Sequence, residues 1–227
     1  MDCTKSQFGI MTKCFYPWLR DLNDCCGTSS PPTYLSRGLQ RHESKASEIR
    51  LTILLRSRIG LYLRGHKRTA VFAITCACNC QCIMCNMHRL DPAYLPLDQG
   101  ARLLQFLYDN KFMVVYFTGG EPTLHPDLVP LVRHANRLGL VTSMTTNGTS
   151  SLTTLAQLRD AGLDVLSVSF DHWESGVCER LRGHRGIQRK QEARLRYAKK
   201  IGLRVYALAY LNPLLCEDGA IQAFVEY

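Results

Sequence analysis

Five cysteines stand within thirteen residues, in the run TCACNCQCIMCNM from Thr75 to Met87: Cys76, Cys78, Cys80, Cys82 and Cys85. Only Cys78, Cys82 and Cys85 have the spacing C-x3-C-x2-C. The same spacing begun at Cys76 reaches Cys80 and then Ile83, which has no ligating atom. Three thiolates on a short loop hold three corners of a [4Fe-4S] cube, a cluster normally held by four cysteines. A missing fourth protein ligand leaves one iron open to a substrate or cofactor, by the logic that separates catalytic from structural metal sites. A second reading of this stretch alone is a structural zinc knuckle, with His88 or a spare cysteine as the fourth ligand.

At 227 residues the chain is long enough for one ordinary domain with a real core and an appendage. Its eleven cysteines are a high and odd number. Met1-Asp2 opens acidic with no apolar stretch behind it, so no secretory signal is read there. Metal-bound or free thiols in a reducing, cytoplasmic setting are therefore expected in place of a disulfide framework. No uncharged apolar run is long enough to span a bilayer. The formal charge is +9, and residues 37–68 account for most of it, with nine Lys and Arg against Glu43 and Glu48.

Three regions follow from these shifts in composition. Residues 1–34 read as an irregular arm, broken by Cys25-Cys26-Gly27 and by Pro31-Pro32. Residues 35–68 read as a basic amphipathic helical segment with Leu51, Leu54, Leu55, Ile59 and Tyr62 on one face. Such a helix either packs across the end of the following domain, the reading favoured here, or lies on an anionic membrane surface as a peripheral contact. The basic run lacks interleaved aromatics and no nucleic-acid motif accompanies it, so nucleic acid is not an expected partner. Residues 69–227 form the core domain.

Within that domain apolar strand-like runs alternate with helical ones. Strands are expected at Val71–Ile74, Met113–Phe117, Leu140–Thr145, Val165–Phe170 and Leu203–Tyr210, each as a near-continuous apolar run buried on both faces. Helices are expected at Leu97–Tyr108, Asp127–Leu138, Ser151–Ala161 and Ile187–Ile201, with a further one begun after Glu217. This is the pattern of βαβ units and a parallel sheet, an α/β fold. Barrels and open sheets of this kind both carry their chemistry at the carboxyl ends of the strands.

The unusual residues fall at those ends. The cysteines follow the first strand. Gly119, Gly120, Glu121 and Pro122 follow the second: glycines that admit close approach of a ligand, a carboxylate that accepts from an ammonium group, and a proline that stiffens the turn. Asn147-Gly148 follows the third and reads either as a ligand contact or as a plain turn. Ser169 and Asp171, two apart on the fourth, point to one face and suit the paired hydroxyls of a ribose; Asp171 equally suits a helix cap. Four motifs on one rim speak against the zinc knuckle.

On these residues the chain resembles the radical S-adenosylmethionine (SAM) enzymes. ACNCQCIMC matches their cluster loop and TGGEP their methionine-binding motif, with TTNG and SVSFD matching at the next two strands, over roughly residues 70–217. The resemblance implies a partial (β/α)6 TIM-like barrel, its sixth strand missing, with a [4Fe-4S] cluster on Cys78, Cys82 and Cys85. It implies SAM as the second cofactor, its amino group held by Gly119, Gly120 and Glu121, with Ser169 and Asp171 near the ribose or carboxylate and Arg189 a weaker candidate for the carboxylate. The implied activity is reductive cleavage of SAM to a 5′-deoxyadenosyl radical that takes hydrogen from a substrate. A low-potential electron donor of flavodoxin or ferredoxin type is the implied partner.

Three departures are visible. Met84 stands where the family often has an aromatic, and His172-Trp173 follows SFD where many members carry glycine. The chain also stops before a sixth strand, so it reads as a truncated or split form. The alternative reading is accordingly a cluster- and SAM-binding or sensing protein without turnover.

Overall fold

The computed structural model describes residues 58–217 and 219–227. The expected irregular arm over 1–34 and the expected basic segment as far as residue 57 lie outside the described residues.

Five strands are present: β1 (Arg68–Thr75), β2 (Phe112–Gly119), β3 (Val141–Thr146), β4 (Val165–Ser169) and β5 (Arg204–Leu208). Helix α1 (Leu97–Asp109) joins β1 to β2, α2 (Leu128–Arg137) joins β2 to β3, and α3 (Leu152–Ala161) joins β3 to β4. Two helices, α4 (Ser175–Arg182) and α5 (Ile187–Lys200), separate β4 from β5, and α6 (Ala220–Glu226) follows β5. The strands are all parallel and stand in chain order, β1-β2-β3-β4-β5. Each connection therefore steps the same way, and right-handed crossovers then put the connecting helices α1, α2, α3 and α5 on one face of the sheet. That is how a (β/α) barrel is wound, whereas an open doubly wound sheet reverses direction midway. α1 packs on α2, α2 on α3 and α3 on α5 around the outside.

One-sided cover changes what the strands bury. The row facing the helices is apolar: Phe72 pairs with Phe117, Phe117 with Met144, Met144 with Leu166 and Leu166 with Val205. The first four of these are buried against Leu104, Leu131, Leu158 and Ala198 of the helices. Phe72 and Phe117 meet edge to face at 5.7 Å between ring centroids, and each such buried side chain contributes about 1.5–3 kcal/mol. The opposite face carries Tyr116, Thr118, Thr145, Ser167 and Ser169, so β3 and β4 are not the apolar runs expected from a sheet buried on both sides. Hydroxyls in the primary pattern mark the inner, concave face of the half-closed barrel.

At the amino ends of the strands, Asp164 accepts from Thr142 N at 2.9 Å and pairs with Arg58. Arg58 and the buried Leu61 belong to the described end of the basic segment, a helix over 58–63. This end packs under the domain, as favoured from the sequence, but through a different face: Ile59 and Tyr62 are 56% and 52% exposed while Leu61 is 2%. Among the described residues no helix is long and apolar enough to cross a membrane.

Candidate active site

The cysteine loop begins where Thr75 ends β1. The Thr75 hydroxyl donates to Ala93 O at 2.7 Å and accepts from Ala77 N at 3.0 Å, which turns the chain across the top of the sheet. The end of β2 runs directly alongside. Gly120 N donates to Thr75 O at 2.8 Å and Glu121 N to Ala77 O at 2.7 Å. A Cβ at position 119 would lie 2.1 Å from Thr75 O, and one at 120 would lie 2.2 Å from Ala77 O. Gly119 also has φ +134°, a conformation side chains disfavour. The close approach these glycines allow is thus first of all that of the cysteine loop itself.

Cys78, Cys82 and Cys85 line one cavity of about 260 Å³ at the carboxyl ends of the strands. Gly119 and Gly120 form one wall, and Asn147 and Ser169 another. Cys76 stands apart: its Sγ donates to Asp91 O at 3.0 Å and accepts from Ala93 N at 3.2 Å. Cys80, which the C-x3-C-x2-C spacing passes over, lines the same cavity and is buried against Cys178 and Ile187. Donation to Cys82 and then burial push its thiol up. The Cys82 thiol is pulled down to about 6, first by that bond and then, against its own burial, by the Arg182 guanidinium. Burial raises Cys78. His88, on the turn Met87–Arg89, is not part of the cavity lining.

Glu121 is fully buried and its carboxylate is already occupied. Oε1 accepts from Thr123 N, Thr123 Oγ1 and Thr146 Oγ1 at 3.1, 2.6 and 2.7 Å, and Oε2 accepts from Asn147 N at 2.6 Å. Burial pushes its pKa up and these donors pull it back. Glu121 thereby ties the end of β2 to the end of β3, where the sequence suggested a contact to an ammonium group. Pro122 is buried in the first turn of the segment Pro122–Leu124. Asn147 carries the tie onward: its Nδ2 donates to Asn79 Oδ1 at 2.8 Å, within the cysteine loop, and its carbonyl accepts from Gln191 Nε2 at 3.2 Å. Thr149 N donates to Asn147 Oδ1 at 2.9 Å. Asn147 is both a turn residue and a cavity wall.

Ser169 and Asp171 separate in role. Ser169 faces the cavity. Asp171 is fully buried, with Oδ2 accepting from Arg182 Nε at 2.5 Å and Oδ1 from Arg182 Nη2 and Tyr210 N, both at 2.9 Å. It makes no helix cap, since α4 begins at Glu174 without a side-chain cap. Its carboxylate faces a cation in place of the expected ribose hydroxyls. Arg189 is exposed on α5 and away from the cavity lining.

Arg182 is a site residue that the sequence does not reveal, because α4 does not read as a helix. Val177, Cys178 and Leu181 are buried at helical spacing, but Gly176 and Gly183 frame so short a run that it reads as a loop. The pair His172 and Trp173 stacks at 4.0 Å and lines a separate, wider cavity of about 500 Å³ with Arg180 and Leu214.

Residues 72–217 match the model of the Radical SAM superfamily. Among curated relatives, the PqqA peptide cyclase of Bradyrhizobium diazoefficiens is 35% identical over 152 residues, 65% of this chain and 40% of the relative. The probable GTP 3′,8-cyclase of Sulfolobus acidocaldarius is 32% identical over 141 residues, 61% of this chain and 45% of the relative. The chain thus spans less than half the length of these relatives. Among solved structures, Streptococcus suis SuiB bound to S-adenosylmethionine superposes with a TM-score of 0.59 at 23% identity, over 70% of this chain and 37% of SuiB. SuiB bound to its precursor peptide SuiA gives 0.60 at 20% identity, over 96% and 47%. The superpositions bear on the fold, and the family model covers the stretch in which every motif residue of the rim lies: the chain belongs to the radical SAM superfamily.

Proposed function

We propose that this chain is a radical SAM catalytic core that uses a [4Fe-4S] cluster to cleave SAM reductively and draw hydrogen from a substrate. The observation that carries this reading is the meeting of Cys78, Cys82 and Cys85 with Gly119, Gly120 and Ser169 on one cavity. The donor set fits the cluster: soft thiolates select iron–sulfur centres, and the Arg182 guanidinium beside Cys82 offsets part of the negative charge that three thiolates bring together. Cys78, Cys82 and Cys85 would hold the cluster, and the glycine wall and Ser169 would receive SAM. Bound there, the two cofactors supply the one-electron chemistry.

The chain's own residues hold and orient. Met84 and Met87 give the cavity part of an apolar rim. Glu121 and Asn147 lock the ends of β2 and β3 onto the cysteine loop, so that the cavity walls keep one geometry. Hydroxyls on the inner sheet face, Thr118 and Thr145 among them, offer hydrogen-bonding groups to polar parts of a bound molecule. The relatives' names include a peptide cyclase and a GTP cyclase, so this reading extends to the radical chemistry and names no substrate. Anaerobic reconstitution, followed by assay with dithionite and SAM, is expected to yield 5′-deoxyadenosine. A full cluster without that product would favour a binding or sensing role.

The partner implied by such chemistry is a low-potential donor of flavodoxin or ferredoxin type, which suits a cytoplasmic setting. For residues 37–68 the excess of Lys and Arg supports peripheral contact with an anionic membrane. Binding to liposomes is then expected to require anionic lipid and to fall with salt, which screens the attraction over about 8–10 Å. Equal recovery with neutral lipid would remove the membrane role.

A further inference from the structure

We propose that the buried pair Arg182–Asp171 tunes the reduction potential of the cluster, with Arg182 acting as a fixed positive charge against the sulfur of Cys82. The inference rests on the reading of the cysteine cavity given above and assigns a role to a residue outside the cysteine loop and the glycine motif.

Three contacts seat the end of α4 on the cysteine loop. Ile83 N donates to Leu181 O at 3.0 Å. Gly183, with φ +58°, lies so close to the loop that an added Cβ would be 2.4 Å from Gln81 O. Between these two, Arg182 Nη1 points at Cys82 Sγ at 3.8 Å. The loop residues flanking Cys82 are therefore clamped on either side of the arginine, and the sulfur has little freedom to leave it.

The guanidinium is itself fixed. Asp171 grips Nε and Nη2, at 2.5 and 2.9 Å, and leaves the Nη1 edge for the sulfur. Asp171 is in turn held by Tyr210 N at 2.9 Å. The arginine side chain is only 12% exposed and the aspartate 0%, so solvent screens the pair poorly. Burial opposes the charge on Arg182, but the carboxylate more than offsets it; guanidinium stays charged in proteins in any case.

Two features work against a positive field at Cys82. The carbonyl end of α4 carries a partial negative charge, and Asp171 carries a full one. The geometry decides between them. The guanidinium directs Nη1 at the sulfur at 3.8 Å, while Asp171 binds the opposite edge of the same group. Net charge, hydrogen bonds to sulfur and exposure set the potentials of iron–sulfur clusters, and groups behind the ligands commonly carry that control. Each added electron makes the cluster more negative, so a cation at a ligating sulfur favours the reduced form and raises the potential. A buried anion lowers it.

The test is potentiometric titration of the cluster, followed by EPR, in anaerobically reconstituted full-length protein. Arg182→Gln is expected to shift the potential downward, with Arg182→Lys recovering much of the shift. Asp171→Asn removes the counter-charge and leaves an amide oxygen for the arginine, so it is expected to shift the potential upward. Shifts of opposite sign are what a charge effect gives, whereas merely loosening the pair would move both variants the same way. A fully loaded Arg182→Gln protein at the wild-type potential overturns the inference, as does Asp171→Asn moving downward. Should Arg182→Gln fail to take up a cluster, Asp171→Asn and Arg182→Lys decide alone, the latter being expected close to wild type. A wild-type chain that takes up no cluster defeats the cofactor reading itself, a result distinct from a cluster whose potential ignores Arg182.

Discussion

Serine at position 78, 82 or 85 is expected to remove most of the [4Fe-4S] absorbance and EPR signal of reconstituted protein, and SAM cleavage with it. A hydroxyl is a harder and far less acidic ligand than a thiol, and iron–sulfur clusters depend on soft thiolates. The other two clustered cysteines differ from these three and from each other. Cys76→Ser should retain the cluster, because its sulfur is engaged by Asp91 O and Ala93 N and lies off the cavity. A serine hydroxyl there has the donor and the acceptor that the same two partners need. Cys80→Ser should also retain it, since the C-x3-C-x2-C spacing passes over position 80. Cys80 is only 1% exposed and packs among Cys178 and Ile187, so burying a hydroxyl there is expected to cost about 1–3 kcal/mol of stability. Cys80→Ser without a cluster, beside Cys78→Ser with one, would show that the register is wrong. Cys80 faces the same cavity as the three proposed ligands, which makes this comparison the decisive one.

The order of strands and helices was legible because burial under helices imposes a pattern on one face of every strand. The placing of the chemistry on one rim was legible because βα units bring all strand ends together. What pairwise partner each polar residue takes was not. Glu121 reads as a carboxylate free to meet a ligand, yet it meets four donors from Thr123, Thr146 and Asn147. Two of those residues lie about 25 positions away, and no local rule connects them. Asp171 is a similar case. Its partner Arg182 sits on a helix of eight residues, too short for a periodic pattern to stand out between two glycines. The alternating hydroxyls of β3 and β4 stand in the sequence, but short strands with apolar flanks read alike whether one face or both are covered by helices. Exposure of Ile59 and Tyr62 has the same origin: an amphipathic helix shows which residues are apolar, and only the surface it packs on selects among them.

Gly120→Ala is expected to damage this site severely. The new Cβ would sit 2.2 Å from Ala77 O, 2.7 Å from Ala77 C and 2.8 Å from Cys76 O. All three are backbone atoms, so no rotamer change relieves the collision and the strand end must part from the cysteine loop. Forcing extra volume into a packed site costs about 1–3 kcal/mol. Separation also breaks the bonds from Gly120 N to Thr75 O and from Glu121 N to Ala77 O, at about 1 kcal/mol each. A loss of about 3–5 kcal/mol is a large share of the roughly 5–15 kcal/mol that holds a typical domain together. Urea unfolding should show a much lower midpoint, and cluster uptake should fall with it because the loop loses the surface that shapes it. Gly176→Ala is the matched control. That glycine is exposed on α4, and an added Cβ there meets only the far end of Arg180 at 3.9 Å. Gly176 lies in the first turn of α4 with room around it, and alanine is a better helix former than glycine, so this variant should be about as stable as the parent. Gly120→Ala with a parental midpoint and a full cluster would mean that β2 and the cysteine loop are not packed as described, and the account of the glycine motif would have to revert to ligand contact alone.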